Sequence, residues 1–189
     1  MIDYQTALSE WIDRLLRDGK PCIIAIDGRC ASGKTTLAEA LGRHYHCNVI
    51  HMDHFFLRPE QRTGERLNKP GENVDHERFL EEILLPLKQG KAISYQPFDC
   101  SRQILSDPVD IAPGNLTIVE GSYSCHRNLW EHYDLRIFLT VSPEEQLRRL
   151  IARNGSYAQV FREKWIPLEE AYFSAYDLYN RCDLCVHTD

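Results

Sequence analysis

One stretch of the sequence decides the fold: Gly28-Arg29-Cys30-Ala31-Ser32-Gly33-Lys34-Thr35. It satisfies the pattern G-x-x-x-x-G-K-[ST], in which glycines let the backbone turn tightly and direct several N–H groups at phosphate oxygens. A continuous apolar run at residues 22–26 precedes the loop, and a helical pattern follows it. Because this strand–loop–helix context is the one that a phosphate cradle requires, the sequence predicts that the loop binds the phosphates of ATP or GTP.

The residues of this loop have separate predicted roles. We expect the ammonium group of Lys34 to reach the β- and γ-phosphates, and the hydroxyl of Thr35 to coordinate Mg²⁺. The helix that begins near Lys34 adds the positive end of its dipole. Cys30 lies near the same helix terminus, where the pKa of a thiol tends to fall; a redox role is one hypothesis for it, and a passive small residue of the loop is the favoured interpretation. The predicted nucleotide-binding residues are Gly28, Ala31, Ser32, Gly33, Lys34, Thr35 and Thr36.

Composition limits the remaining possibilities. The 189 residues suit one domain, predicted to span 1–189, and 43% hydrophobic with 26% charged residues is typical of a globular protein. A formal net charge of −6 argues against a general nucleic-acid binder. We see no signal peptide or membrane-spanning run, and the seven scattered cysteines favour free thiols, so we expect a cytoplasmic protein.

Apolar runs and helical patterns alternate along the chain. Strands are predicted at residues 22–26, 48–52, 116–119, 135–141 and near 184, and helices at 4–16, 34–45, 75–87, 143–153 and 157–179. This alternation is typical of an α/β, three-layer P-loop NTPase fold with a mostly parallel five-stranded sheet. Residues 55–73 form a long polar connection, which is often functional, and residues 91–113 resemble a small hairpin.

Two acids follow apolar strands. Asp53 ends the second predicted strand and Glu120 ends the third. The carboxyl ends of parallel strands face the ligand crevice, where Asp53 can deprotonate or orient an attacking hydroxyl, or hold water on Mg²⁺. Glu120 is predicted to lie near the metal or the substrate. A helix cap or a surface turn for Asp53, and a structural hydrogen bond for Glu120, are the alternatives.

Arginines follow the fourth strand. Arg149 and Arg153 share one helix face, and Arg162 comes after a predicted break at residues 154–155. Arginines on such a hinged segment can close over a transferring phosphoryl group and neutralise its charge. The stretch Asn68-Lys69-Pro70-Gly71 lacks the Asp of a guanine-reading motif, which argues against a GTPase and favours a small-molecule kinase.

The order of these motifs resembles the uridine kinase-like branch of P-loop kinases, relatives of phosphoribulokinase. The matching stretches are D-G-x4-G-K-T-T, D-H-F-F, N-V-D-H-E-R-F, P-F-D-C, V-E-G-S and R-R-L-I-A-R. The resemblance implies transfer of a nucleotide γ-phosphate to a hydroxyl of a nucleoside or similar small molecule, with Asp53 as the base. It further implies acceptor binding by Asp75, Phe98, Asp99 and Glu120, and a helical lid that carries Arg149, Arg153 and Arg162.

The chain also departs from this family's pattern. Uridine kinases carry a base-reading His shortly after the aromatic–acid pair, whereas residues 99–103 contain none. The usual lid spacing R-R-x-x-R is lengthened here by one residue. The sequence therefore predicts the kinase chemistry more firmly than it predicts the acceptor. A nucleotide-binding regulatory protein that lost acceptor chemistry is the alternative.

Overall fold

A computed structural model describes residues 4–189 of the chain, with side chains from residue 6 onward. The strands in chain order are β1 (Cys22–Gly28), β2 (Asn48–His51), β3 (Ile93–Tyr95), β4 (Phe98–Asp99), β5 (Ile104–Leu105), β6 (Val109–Ile111), β7 (Leu116–Glu120), β8 (Leu135–Thr140) and β9 (Leu184–His187). The helices are α1 (Tyr4–Leu16), α2 (Lys34–Tyr45), α3 (Gly64–Leu67), α4 (His76–Phe79), α5 (Leu85–Lys88), α6 (Pro143–Asn154), α7 (Ala158–Val160), α8 (Ile166–Tyr176) and α9 (Leu178–Arg181).

The central sheet has the strand order β2-β7-β1-β8-β9, and each of its pairs is parallel. Every residue of β1 and β7 is buried, which is why both strands read as continuous apolar runs rather than alternating ones. The predicted five-stranded sheet is confirmed. Its central strand, β1, ends at the phosphate loop and at the same edge as β2 and β7.

Helices cover both faces of this sheet. Successive residues of β1 alternate between the two cores, so that Ile23 and Ala25 pack with Phe79 and Tyr172 on one face. Ile24 and Ile26 pack on the other face with apolar residues of α1 and α2, namely Leu8, Ile12, Leu37 and Leu41. This arrangement confirms the three-layer α/β architecture.

Several predicted elements differ in detail from the structure. The predicted helix at 75–87 is α4 and α5 joined by a π-helical turn (Leu80–Leu84), and a second π turn (Phe161–Trp165) joins α7 to α8. The long helix predicted to reach residue 179 ends earlier, because Asp177 adopts a left-handed conformation with φ of 52°.

The two segments that break the strand–helix alternation are largely ordered by short elements. The predicted hairpin region contains two antiparallel ladders, β3 with β6 and β4 with β5. The connection at 55–73 holds a short 3₁₀ turn (Pro59–Gln61) and α3. Among the described residues, no helix is both long enough and apolar enough to span a bilayer.

Candidate active site

The phosphate loop is tied to the neighbouring strand at Gly28. This residue has φ of 133°, and a Cβ placed on it would lie 1.9 Å from the carbonyl oxygen of Leu139 in β8. The next residue, Arg29, donates its backbone N–H to that same oxygen at 3.0 Å. Any side chain at residue 28 would therefore collide with β8, and the glycine is required by close approach as well as by its backbone conformation.

The side chain of Lys34 packs against the phosphate loop. Its ammonium group donates hydrogen bonds to the carbonyl oxygens of Gly28 at 2.7 Å and Arg29 at 2.9 Å. Gly33 precedes α2 with φ of 91°, so the free N–H groups at the start of that twelve-residue helix border the loop. Loop, ammonium group and helix terminus together provide the positive surface that a chain of phosphates needs.

Helix α8 supports the loop from its other side. Glu169 is buried and accepts hydrogen bonds from the backbone N–H of Cys30 at 2.9 Å and from the Ser122 hydroxyl at 2.6 Å. Its neighbour Glu170 forms an ion pair with Arg29 at 2.6 Å. Sequence reasoning missed both glutamates, since nothing local in an acidic helical stretch shows which carboxylate turns inward.

Cys30 contradicts the expectation for its thiol. The side chain is 7% exposed, and burial, together with the nearby Glu169 carboxylate, raises its pKa to about 12. Desolvation of the thiolate thus outweighs the helix terminus. Cys30 is a packed residue of the loop, with the amide of Gln146 3.2 Å from its sulfur.

Two side chains with oxygen atoms suited to binding a divalent cation lie next to each other beside the loop. The Thr35 hydroxyl lies 3.3 and 3.2 Å from the two carboxylate oxygens of Glu120 at the end of β7. Nδ1 of His51 lies 2.6 Å from one of those carboxylate oxygens, and this hydrogen bond raises the pKa of His51. A hydroxyl beside a carboxylate at the phosphate loop fits Mg²⁺, which is usually bound through a few protein oxygens together with phosphates.

Asp53 faces the cleft from the turn that follows β2. Gly121 approaches it closely, since a Cβ on this glycine would lie 3.3 Å from Asp53 Oδ1. Asp53 is exposed to the solvent of the cleft, yet the protein around it partly desolvates the carboxylate and raises its pKa; the Lys34 ammonium opposes that shift, and the Glu120 carboxylate adds to it. None of the described residues donates a hydrogen bond to this carboxylate, which leaves it free to accept a proton.

A single cleft of about 1520 Å³ joins these groups. The predicted site residues on its wall are Ala31, Ser32, Gly33, Lys34, Thr35, Thr36, Asp53, Glu120, Arg149 and Arg153. The predicted residues outside that wall are Gly28, Asp75, Phe98, Asp99 and Arg162. The cleft therefore unites the donor half of the predicted site, while most of the predicted acceptor residues lie outside it.

Asp75 and Asp99 are engaged by the protein itself. Asp75 is buried, caps α4 by accepting from the Arg78 N–H at 3.1 Å, and accepts from the Gln61 amide at 2.7 Å. Asp99 accepts two hydrogen bonds from Ser101 in the turn between β4 and β5. Both carboxylates thus stabilise local turns, and their predicted contacts with an acceptor remain predictions.

The arginines of the predicted lid occupy three different environments. Arg149 donates to Glu145 at 2.7 Å and to the carbonyl oxygen of Ala31 at 3.3 Å, so it is fixed against the phosphate loop. Arg153 is exposed on the cleft wall, near the ring of Phe161. Arg162 is exposed on the π turn and lies outside the cleft wall.

A group with metal-ligating side chains lies outside the cleft: Glu72, His76 and His126. The two rings are stacked 4.1 Å apart, and Asn128 donates its backbone N–H to Nδ1 of His126 at 3.2 Å. A neutral His126 then carries its proton on Nε2, the atom that would face a metal. Burial lowers the pKa of His126 to about 3, and we interpret the group as a packing contact.

Known proteins resemble this chain at modest identity over most of its length. It is 27% identical over 172 residues to uridine kinase-like protein 5 of Arabidopsis thaliana, a match covering 83% of this chain and 36% of the relative. It is 29% identical over 145 residues to uridine-cytidine kinase B of Dictyostelium discoideum, a match covering 71% of this chain and 58% of the relative. The chain resembles uridine kinases. It spans only part of the length of these relatives, and no protein-family model matches it.

Solved structures of uridine kinase-like proteins and other P-loop kinases share the fold. A possible uridine kinase from Bacillus stearothermophilus superimposes with a TM-score of 0.67 at 20% identity, covering 95% of this chain and 98% of that one. D-glycerate 3-kinase from Cryptococcus neoformans superimposes with a TM-score of 0.63 at 16% identity, and the match covers 88% of this chain and 87% of that one. The fold is therefore that of P-loop kinases. Two kinases with differently named acceptors match it almost equally well, so the fold alone does not select an acceptor.

Proposed function

We propose that this chain is an ATP-dependent small-molecule kinase of the uridine kinase-like type. It would transfer the γ-phosphate of ATP (or GTP) to a hydroxyl of a nucleoside or a similar metabolite. The single observation that carries this proposal is the Asp53 carboxylate, which has no hydrogen-bond donor among the described residues and faces the same cleft as Lys34 and the Thr35–Glu120 pair. The resemblance to uridine kinases supports it.

The donor half holds and polarises the nucleotide. The loop N–H groups and the start of α2 bind phosphate oxygens, and Lys34 exchanges its carbonyl partners for the β- and γ-phosphates. Thr35 and Glu120 are the residues that would hold Mg²⁺, which would supply positive charge against the phosphates. Arg149 and Arg153 would stabilise the charge of the transferring phosphoryl group.

The acceptor half supplies the hydroxyl and removes its proton. Asp53 lies beside the donor groups and, as a carboxylate, accepts the proton as the hydroxyl oxygen attacks the γ-phosphorus. Phosphoryl transfer asks mainly for positioning and charge stabilisation, and both are available in this cleft. We propose a cytoplasmic location for this activity, where ATP and metabolites are abundant.

The alternative is a nucleotide-binding regulatory protein without acceptor phosphorylation. The engagement of Asp75 and Asp99 by protein groups favours it, whereas a regulatory protein gives no reason for an unpaired Asp53. Nucleosides, sugars and hydroxy acids incubated with Mg-ATP and measured by ADP release separate the two. Acceptor-dependent ADP with a phosphorylated product supports the kinase, and ATP binding without it from any acceptor supports the regulator.

A substitution at Asp53 tests the catalytic assignment. Asp53→Asn preserves size but removes the base, so turnover with the best acceptor is expected to fall about 100- to 10,000-fold. The KM for ATP should change less than about threefold, because Asp53 forms no hydrogen bond with any described residue of the phosphate loop. Asp110→Asn, at an exposed position of β6, is the matched control. Near-normal turnover of Asp53→Asn would remove this residue from the mechanism.

A further inference from the structure

Three arginines spaced four residues apart follow Leu57 in the long connection after β2. Two of them are paired with acids: Arg58 lies 3.5 Å from Glu60, and Arg66 lies 2.6 Å from Glu77. The middle one, Arg62, has no carboxylate within 4.0 Å among the described residues. It is also the one of the three on the cleft wall.

The guanidinium group of Arg62 is held in place without being neutralised. Its Nε donates to the carbonyl oxygen of Leu57 at 2.9 Å, and its central carbon lies 5.7 Å from the centre of the Phe98 ring. These two contacts orient the group through its Nε edge and one face. The terminal nitrogens, which can bind a carboxylate or phosphate bidentately, form no hydrogen bond within the described part of the chain.

Arg62 belongs to the acceptor half of the cleft. The cleft is also lined by Leu57, Leu67, Cys100 and Gln103, which are away from the phosphate loop in sequence. Asp53, Arg62 and Cys100 all line this cleft. Burial raises the pKa of that thiol, the Arg62 charge lowers it, and the Asp53 carboxylate raises it, so both charges act on the same sulfur.

We propose that the acceptor is an anionic alcohol, whose carboxylate or phosphate binds Arg62 while its hydroxyl faces Asp53. This inference rests on the proposed kinase function and narrows its substrate class. In the reaction, the hydroxyl oxygen forms a bond to the γ-phosphorus and its proton passes to Asp53. The bond from that phosphorus to the bridging oxygen breaks, and ADP leaves with those electrons.

Charge explains why this class is preferred to a neutral nucleoside. An oriented guanidinium group in a partly enclosed cleft attracts an anion more strongly than a group in open water does. Arg62 is itself exposed on the cleft wall, so a neutral acceptor would leave its charge to water and gain no binding energy from it. Arg62 is therefore a specificity-determining residue, whereas the reacting groups are those of the donor half and Asp53.

Matched pairs of acceptors test the proposal. Glycerol with D-glycerate, and ribose with ribose 5-phosphate, differ mainly in the anionic group and are assayed with Mg-ATP by ADP release. We expect the anionic member of at least one pair to show a kcat/KM at least about tenfold higher than its neutral partner. A preference for the neutral member in both pairs would overturn the proposal while leaving the kinase function intact.

Substitution of Arg62 separates recognition from chemistry. Arg62→Gln should raise the KM for the anionic acceptor about 10- to 100-fold, the range expected for a charge-assisted hydrogen bond. Its kcat, its KM for ATP and its turnover of neutral acceptors should change less than about threefold. Arg62→Lys should restore part of the affinity, and Arg43→Gln, exposed on α2, is the control. An unchanged KM in Arg62→Gln would contradict the assignment.

A binding measurement keeps the two proposals distinguishable if no acceptor is phosphorylated. Inorganic phosphate and D-glycerate are titrated into the Mg-ADP-loaded wild type and Arg62→Gln. Binding weakened about tenfold or more by the substitution would retain the anion site and reject the kinase function. Binding that is absent, or that is equal in both proteins, would reject the anion site as well.

Discussion

At the residue scale, two aspartates near the carboxyl ends of β1 and β2 show how the surroundings of a side chain decide its role. Asp27, at the end of β1, is fully buried and accepts hydrogen bonds from the N–H of Cys125 and the hydroxyl of Tyr172, both at 2.8 Å. Burial outweighs these bonds and raises its pKa to about 6. Asp53 also has a raised pKa, but it faces the cleft and accepts no hydrogen bond from residues 6–189. Asp27 therefore organises the fold, and Asp53 is available for chemistry.

The raised pKa of Asp53 predicts the pH dependence of the reaction. A general base acts only when deprotonated, so kcat/KM should fall as the pH falls through the pKa of Asp53. Because that pKa lies above the ordinary value of an aspartate, the acidic limb should appear at a higher pH than an aspartate with an unshifted pKa would give. The measurement is kcat/KM for the acceptor against pH.

A second variant tests whether Asp53 is the group whose titration produces the acidic limb of the pH profile. Glu120 raises the pKa of Asp53 through like charge, so Glu120→Gln should move the acidic limb to lower pH, even though it also lowers the rate. Glu10→Gln, exposed on α1, should leave the limb where it is. A limb that stays in place in Glu120→Gln would contradict the assignment to Asp53.

At the element scale, helix α8 acts as the rear support of the phosphate loop. Glu169 binds the loop N–H of Cys30, and Tyr172, about one turn later, donates to Asp27 just before the loop. These contacts link one face of the helix to both sides of Gly28. The shape of the loop therefore depends on a helix that is more than 130 residues away in the chain.

Replacing Glu169 should weaken both stability and nucleotide binding. Glu169→Gln leaves one acceptor oxygen for two donors and turns an amide N–H toward the other, which costs about 1–3 kcal/mol in the free energy of unfolding. The dissociation constant for Mg-ATP should rise as the loop loosens. Urea unfolding and nucleotide titration measure the two effects. A loss no greater than that of Glu10→Gln would show that the contact is unimportant.

The elements that could be predicted are those encoded locally. The buried strands appear as apolar runs, and α2 was predicted with its observed bounds because a glycine-rich loop and a regular helical pattern define it. The π turn at Phe161–Trp165 left no such signal. The pairing of Arg29 with Glu170 joins residues 141 positions apart, and no local pattern indicates which of several acids such an arginine will meet.

At the scale of the whole molecule, the strand order assembles the site. β1 lies between β7 and β8, and β2 lies on the far side of β7. The carboxyl ends of β1, β7 and β2 therefore bring together the phosphate loop, Glu120 and Asp53, which the sequence predicted from strand ends alone. The part of the cleft wall that holds Arg62 comes from an irregular connection rather than from a strand end. No sequence pattern marks such a position, so Arg62 was not predicted.

We propose that residues 1–189 form a single kinase domain, and ligand binding can test this. At Mg-ATP concentrations of about 100 times the dissociation constant, linkage adds about 2.7 kcal/mol to the stability of the folded protein. For a chain of this size the Tm should rise by roughly 5–10 °C in one cooperative transition. Lys34→Ala should remove the shift. Two separate transitions, or a wild-type shift below about 2 °C, would contradict the proposal.

The position of β1 also constrains the order in which the protein can fold during synthesis. Cys22 pairs with Leu116, and Ile24 pairs with Leu135, so the strand that carries the phosphate loop has no sheet partner until distant parts of the chain exist. Such non-local pairing forms slowly, because the closure of long loops costs entropy before any contact repays it. A nascent chain that has just completed Gly28–Thr35 thus carries the full motif but not the Leu139 carbonyl that shapes it. β8 must therefore be synthesised before this loop can adopt the shape seen in the folded protein.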